Sequence, residues 1–250
     1  SGRTKKMNEI TNNVEKFYQS INSIPDHRYK SWEHCYNFFK KIKDKEIDKE
    51  ELDLAQLHLA FYLASWGMYR GSSFILQKDY TIFKEIVGII LKKEYSILWE
   101  IEDNLNKSED LIEKFSKIYK EIENVLIKIK ETTKNHPDLE GTKKRYLQGN
   151  QISYTLITKI LLGTMGCIPA YDRFFMEGLS DEKKIRKNFN KNKSFEELLG
   201  FYDKYKKDIN ELRGDLKEKY NAGDYTPMKI IDMYFWQIGE EKDSLKIKIS

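Results

Sequence analysis

The sequence predicts an all-α protein, and three observations carry that reading. Apolar residues recur at helical spacing along nearly the whole chain of 250 residues. Only 4 Pro and 13 Gly interrupt it, which suits long helices joined by short turns. The alternation of strands and helices that builds a parallel sheet is missing. An apolar share of 40%, with 13% aromatic, is ample for one core. The expectation is a single globular domain of about ten helices.

The elements follow in order. Met7 to Ile21 is polar with a thin apolar stripe of Ile10, Val14, Phe17, Tyr18 and Ile21, predicting an amphipathic helix that Pro25 and Asp26 end. A second helix runs from Arg28 to Ile42, with Tyr29, Trp32, Tyr36 and Phe39 on one side. Residues 54–69 are apolar nearly all the way round, so this stretch is predicted to be the central helix, ended by Gly71-Ser72-Ser73. A helix from Tyr80 past Trp99 and a more charged one from Glu109 to Lys130 come next. The linker Thr132 to Gly149 holds His136-Pro137 and two glycines, and marks the boundary between two lobes if there are two. Beyond it lie an apolar helix, Ile152 to Met165, a Gly/Pro turn, and a helix over Ala170 to Gly178. Ser194 to Tyr220 is long and amphipathic, and Thr226-Pro227 caps a last helix through Trp236. Residues 240–250 alternate like a short strand or a frayed tail, and residues 1–6, ahead of Met7, read as an expression-vector remnant.

Charge and cysteine usage exclude several classes. Arg3, Lys5 and Lys6 supply three of the four formal positive charges, leaving +1 from Met7 onward, so net charge gives no case for nucleic acid. Cys35 and Cys167 are too few for a disulfide framework or a four-cysteine zinc site and fit a reducing cytoplasm. The most apolar helix is shorter than the roughly 20 residues a bilayer requires, so a cytoplasmic protein with no membrane partner is expected. No phosphate-binding loop, dinucleotide fingerprint or His-Glu-x-x-His is present, and neither a cofactor nor a metal is expected.

Two stretches carry candidate chemistry. In Trp66-Gly67-Met68-Tyr69-Arg70-Gly71-Ser72-Ser73 a bulky helix ends in glycine, arginine and hydroxyls. The Arg70 fork suits carboxylate or phosphate, with Ser72 and Ser73 beside it as further ligand groups; the plainer reading is an internal Arg70–carboxylate clamp. The second stretch, Thr155 to Phe175, is an apolar helix running into Gly166-Cys167-Ile168-Pro169 and then presenting Asp172 at the start of the next helix.

Over residues 146–175 this pattern resembles the helix-hairpin-helix DNA glycosylase superfamily, in which such a helix and a proline-containing turn precede the catalytic aspartate. The resemblance implies that Asp172 is the catalytic carboxylate of a DNA N-glycosylase. It implies a base extruded into a pocket and stacked on aromatic side chains, for which Trp66, Tyr171 and Phe174 are at hand. The hairpin would fall at Gln148 to Tyr154. The position at which lyase members carry a lysine falls on Tyr154, so no Schiff-base lysine is implied. The basic run Lys183, Lys184, Arg186, Lys187, Lys191 and Lys193 would hold DNA phosphates, and Arg173, beside Asp172, is a further binding residue. Each has a plain counterpart: Asp172 as a helix N-cap, the aromatics as core, the lysines as a solvated loop. Two other classes stay open. One is a helical adaptor acting on a protein partner through Phe195, Leu198, Leu199, Phe201 and Tyr205. The other is a binder of a small anionic ligand through Arg70, Ser72 and Ser73.

Overall fold

The computed structural model describes residues 2–70, 73–134 and 151–249, and every regular element among them is helical. Helix α1 (Gly2–Asn22) turns Ile10, Val14, Phe17, Tyr18 and Ile21 inward, as its stripe requires. It begins ahead of Met7, and Arg3 reaches Asp208 at 3.1 Å. A 3-10 turn, Arg28–Lys30, leads into α2 (Ser31–Ile42), which buries Trp32, Cys35, Tyr36, Phe39 and Ile42.

Helix α3 (Lys49–Ser65) opens on a capping box. Asp48 accepts the Glu51 N–H, and the Glu51 carboxylate accepts the Asp48 N–H. This helix is not the centre of the fold. It buries Ala55, Leu59, Tyr62 and Leu63 but leaves Leu54, Leu57 and Phe61 as an exposed row, Phe61 at 61%. It also stops at Ser65, because Gly67 takes φ +77°, a conformation that side-chain-bearing residues avoid.

The helix expected from Tyr80 past Trp99 is instead α4 (Lys84–Ile90) between the 3-10 turns Tyr80–Phe83 and Lys93–Trp99. The β-branched Ile86, Val87, Ile89 and Ile90 weaken helix propensity there and are kept for burial. Helix α5 (Ser108–Lys134) carries on through Thr132 and Thr133, so the expected linker starts inside a helix, and its remainder lies outside the described residues.

The centre belongs to α6 (Tyr154–Thr164), in which every residue from Leu156 to Thr164 is buried against α2, α3 and α5. After it come α7 (Arg173–Gly178), α8 (Lys191–Tyr220), kinked at Tyr205, and α9 (Pro227–Ile249). Nine α-helices are thus present among the described residues, and counting both arms of α8 gives the ten expected. The proposed protein-contact row of Phe195, Leu198, Leu199, Phe201 and Tyr205 is core, buried on the inner face of α8. The expected tail is helix too. Lys242 pairs with Asp181 and Lys246 with Glu177, tying the far half of α9 to the segment around α7.

Two glycines set the distance between α7 and α9. A Cβ on Gly178 would stand 1.8 Å from the Phe235 carbonyl oxygen, and one on Gly239 would stand 1.8 Å from that of Phe174. The two backbones therefore touch, and only glycine fits at either point.

Candidate functional site

The site is built on the passage from α6 to α7. Gly166, at φ +62°, ends α6 by donating its N–H to the Leu161 carbonyl, as a left-handed helix terminator does. Its own carbonyl accepts the Thr226 hydroxyl at 2.7 Å, while Thr226 Oγ1 accepts the Lys229 N–H and so caps α9. The end of α6 is thereby clamped on the start of α9.

Asp172 then opens α7. Its Oδ1 accepts the Phe175 N–H at 3.0 Å, and its Oδ2 lies 3.4 Å from Lys159 Nζ. Lys159 comes from the middle of α6 and donates to the Trp66 carbonyl at 2.8 Å. The two side chains are 7% and 13% exposed, so the pair is shielded from bulk water and weakly screened. Asp172 is the helix cap its plain reading required, and it is also half of a near-buried ion pair.

Both groups open on a cavity of about 660 Å³ lined by Arg28, Tyr29, Trp66, Gly67, Met68, Arg70, Thr155, Lys159, Asp172, Arg173, Phe174 and Trp236. Its aromatic wall is an interlocked stack. Tyr29 lies on Trp66 with ring centroids 4.0 Å apart and planes 14° apart, and Trp236 meets both rings edge-on. The ammonium groups of Lys229 and Lys159 stand 4.9 and 5.8 Å from the centre of the Trp66 ring. Tyr29 stacking and these cations occupy much of the Trp66 π surface, so Trp66 chiefly supports the wall and Tyr29, Phe174 and Trp236 complete it.

Three arginines complete the cavity's positive charge. Arg173 is exposed and reaches Asp243 at 3.2 Å, with its guanidinium over the Phe174 ring. Arg28 lies over its neighbour Tyr29. Arg70 folds back on Gly67, where a Cβ would come within 3.1 Å of the guanidinium carbon. No carboxylate pairs with Arg28 or Arg70 among the described residues, so the internal clamp expected for Arg70 is not seen. The lining holds four cationic side chains against one carboxylate. Such a surface attracts anions.

Of the residues singled out in the sequence, Asp172, Arg70, Trp66 and Arg173 come together, although Arg70 and Asp172 are a hundred residues apart. Others do not join them. Tyr171 is fully buried, packed on Phe175 and Phe189, and burial pushes its hydroxyl well up from the ordinary tyrosine value. It cannot stack a ligand. Ser73 precedes the 3-10 turn Phe74–Gln77 and is not in the lining; Ser72 and the hairpin residues 148–150 lie outside the described residues. The basic run is also absent from the lining, and much of its charge is already paired. Arg186 holds Glu197 at 2.7 Å, Lys187 holds Glu177 at 3.0 Å, and Lys193 holds Glu196 at 3.1 Å.

Sequence reasoning missed Lys159 as a partner of Asp172, and missed Arg28, Tyr29 and Trp236 as lining. For Lys159 a signal existed: it is the one charged residue in the eleven of α6. A lone cation in a buried helix must find a counter-charge or pass to neutral, and here Asp172 provides one. No such signal marked Tyr29 or Trp236, which are brought in by packing between distant helices. No family model matches the chain, and neither a curated protein nor a solved structure matches it.

Proposed function

We propose that the cavity receives one nucleotide of a nucleic acid and that the protein releases its base, with Asp172 as the working carboxylate. The observation that carries this reading is the meeting of Asp172, Lys159 and three arginines on one aromatic-walled cavity. Tyr29, Phe174 and Trp236 offer apolar surface to a planar ring, and Arg28 and Arg70 offer guanidinium forks to the flanking phosphates. As the bond from base to sugar lengthens, the sugar gains positive charge. A fixed carboxylate beside it stabilises that charge or orients the attacking water. Water then supplies hydroxide to the sugar carbon and a proton to the departing base, so the reaction is a hydrolysis. Lys159 holds the Asp172 carboxylate in place.

The test begins with a salt titration of binding to labelled single- and double-stranded oligonucleotides. Binding that weakens steeply with salt supports the reading and leads to a base-release screen with Asp172→Asn as the control. Asparagine keeps the helix cap and removes the charge, so loss of release in a folded variant assigns the chemistry to the carboxylate. No binding at low salt overturns the nucleic-acid reading. Equal competition by free mononucleotides would move it to the small-anion class.

A further inference from the structure

Beneath the cavity lies a second ion pair. Lys229 Nζ and Asp232 Oδ2 are 2.9 Å apart, and each side chain is 2% exposed. Both come from the first turns of α9. Lys229 stands inside three rings, with its ammonium 4.9 Å from the centre of Trp66 and 5.3 Å from those of Trp32 and Phe17. Asp232 uses its other oxygen to accept the Ala170 N–H at 3.0 Å, two residues before Asp172.

These contacts close a circuit. It runs from Asp172 to Lys159, across the Trp66 ring to Lys229, on to Asp232, and through the Ala170 N–H back along the chain to Asp172. The same turn is gripped from the other side by α6. Thr158 Oγ1 accepts the Tyr171 N–H at 3.0 Å, and the Thr155 hydroxyl donates to the Tyr171 carbonyl at 2.8 Å. Three of the four polar backbone groups of Ala170 and Tyr171 are thus fixed by side chains, and the fourth, the Ala170 carbonyl, accepts the Asp172 N–H. A helix cap alone needs none of this.

The cost of the arrangement argues for a purpose. A buried ion pair often contributes no more stability than apolar residues of the same volume. Burial pushes the Asp232 carboxyl up from the ordinary aspartate value, with Asp172 adding to the rise and Lys229 opposing it. Both carboxylates, and Cys35 on α2, act electrostatically on Tyr62 of α3. Burial pushes the hydroxyl and the thiol well up, so both stay neutral and neither supplies a counter-charge.

We infer that Asp232, paired with Lys229, is a positioning residue that holds the Asp172 carboxylate against Lys159 by anchoring the Ala170 N–H. This inference goes beyond the nucleic-acid reading and holds for any ligand of the cavity.

The test therefore needs no ligand. Lys159 opens on the cavity, and its rate of acetylation by acetic anhydride at neutral pH, read by peptide mass spectrometry, reports whether a carboxylate stands beside it. Asp172→Asn frees the ammonium from its carboxylate partner and sets the ceiling, expected about tenfold above the wild-type rate, the scale of one lost contact to a charged group. Asp232→Ala removes the acceptor for Ala170 and is expected within twofold of that ceiling. Asp232→Asn keeps the acceptor and is expected near the wild-type rate. If Asp232→Ala does not fold, Thr158→Val, which removes the neighbouring acceptor and no charge, is expected to raise the rate at least threefold. Folding is checked by circular dichroism. Wild-type rates in folded Asp232→Ala, or in Thr158→Val where Asp232→Ala does not fold, would leave Asp232 a purely structural residue and overturn the proposal. So would an Asp172→Asn rate no faster than wild type.

Discussion

Two regions of this molecule are rich in positive charge, and they differ in what the charge is free to do. The run from Lys183 to Lys193 has six cations in eleven residues, the densest basic stretch of the chain. In the fold, Arg186, Lys187 and Lys193 hold Glu197, Glu177 and Glu196, so half of that charge is matched on the spot. The cavity's arginines come from three separate segments and form no run at all. Yet Arg28 and Arg70 keep no carboxylate among the described residues, and both stand over a concave, aromatic-walled space. The field at a surface depends on uncompensated charge and on shape, and a count along the sequence measures neither.

Asp172→Asn is expected to reduce base release by about 100-fold or more, on the scale of losing one preorganised charge-stabilising group, with a normal far-ultraviolet spectrum. Base release at the wild-type rate would place the chemistry elsewhere. The Arg28→Ala/Arg70→Ala double variant comes next. Each arginine that meets a phosphate contributes roughly 0.7–0.9 to the slope of log affinity against log salt, so the slope is expected to fall by about 1.5. The corresponding Lys187→Ala/Lys193→Ala variant, at two cations already paired, is expected to change the slope by less than about 0.5. A larger change there than at the arginines would reverse the comparison.

The smallest effect is the most diagnostic of masking. Glu177 sits between Lys187 and Lys246, whose hydrogen bonds hold its carboxyl down at about 2. A carboxyl lowered on folding adds stability above its ordinary value near 4.3, and that contribution disappears as pH falls towards about 2. Because its two lysine partners stand at the exposed surface, Glu177→Gln is expected to cost only about 0.2–1 kcal/mol at neutral pH by thermal unfolding. The gap to wild type should close on acidification. The same variant unmasks two lysines, so its oligonucleotide affinity should rise slightly. An unchanged affinity would show that these lysines lie off the ligand's path.

The sequence made the helices legible and left the site half legible, for a physical reason. Periodicity reports which face of a helix is buried, so α1, α2, α5, α6 and α8 were readable from their stripes. It does not report against what. Residues 54–69 looked central because apolar residues surround the axis, but α3 spends Leu54, Leu57 and Phe61 on its outer face. Phe195 to Tyr205 looked like a docking row and proved to be interior. Asp172 was readable because it follows a turn and opens a helix, a local pattern. Its neighbours Lys159, Tyr29 and Trp236 are assembled by contacts across the fold, and nothing in the local sequence pairs them. The strand-like alternation after Glu240 misled because the tail's lysines are placed for ion pairs with Glu177 and Asp181, not for a sheet.

The contribution of α9 has a consequence for the order in which the molecule becomes competent. Lys229, Asp232, Trp236 and Gly239 all belong to this last helix, and each touches the cavity or the turn that bears Asp172. A chain leaves the ribosome from its N-terminal end, and at about 5–20 residues per second the earlier helices have seconds in which to collapse. Throughout that interval Asp172 and Lys159 can meet, but the wall behind Trp66 is missing and the Ala170 N–H has no acceptor. The nascent protein therefore has its carboxylate and its lysine before it has a finished site. The wall behind Trp66 and the acceptor for the Ala170 N–H then arrive together, with α9.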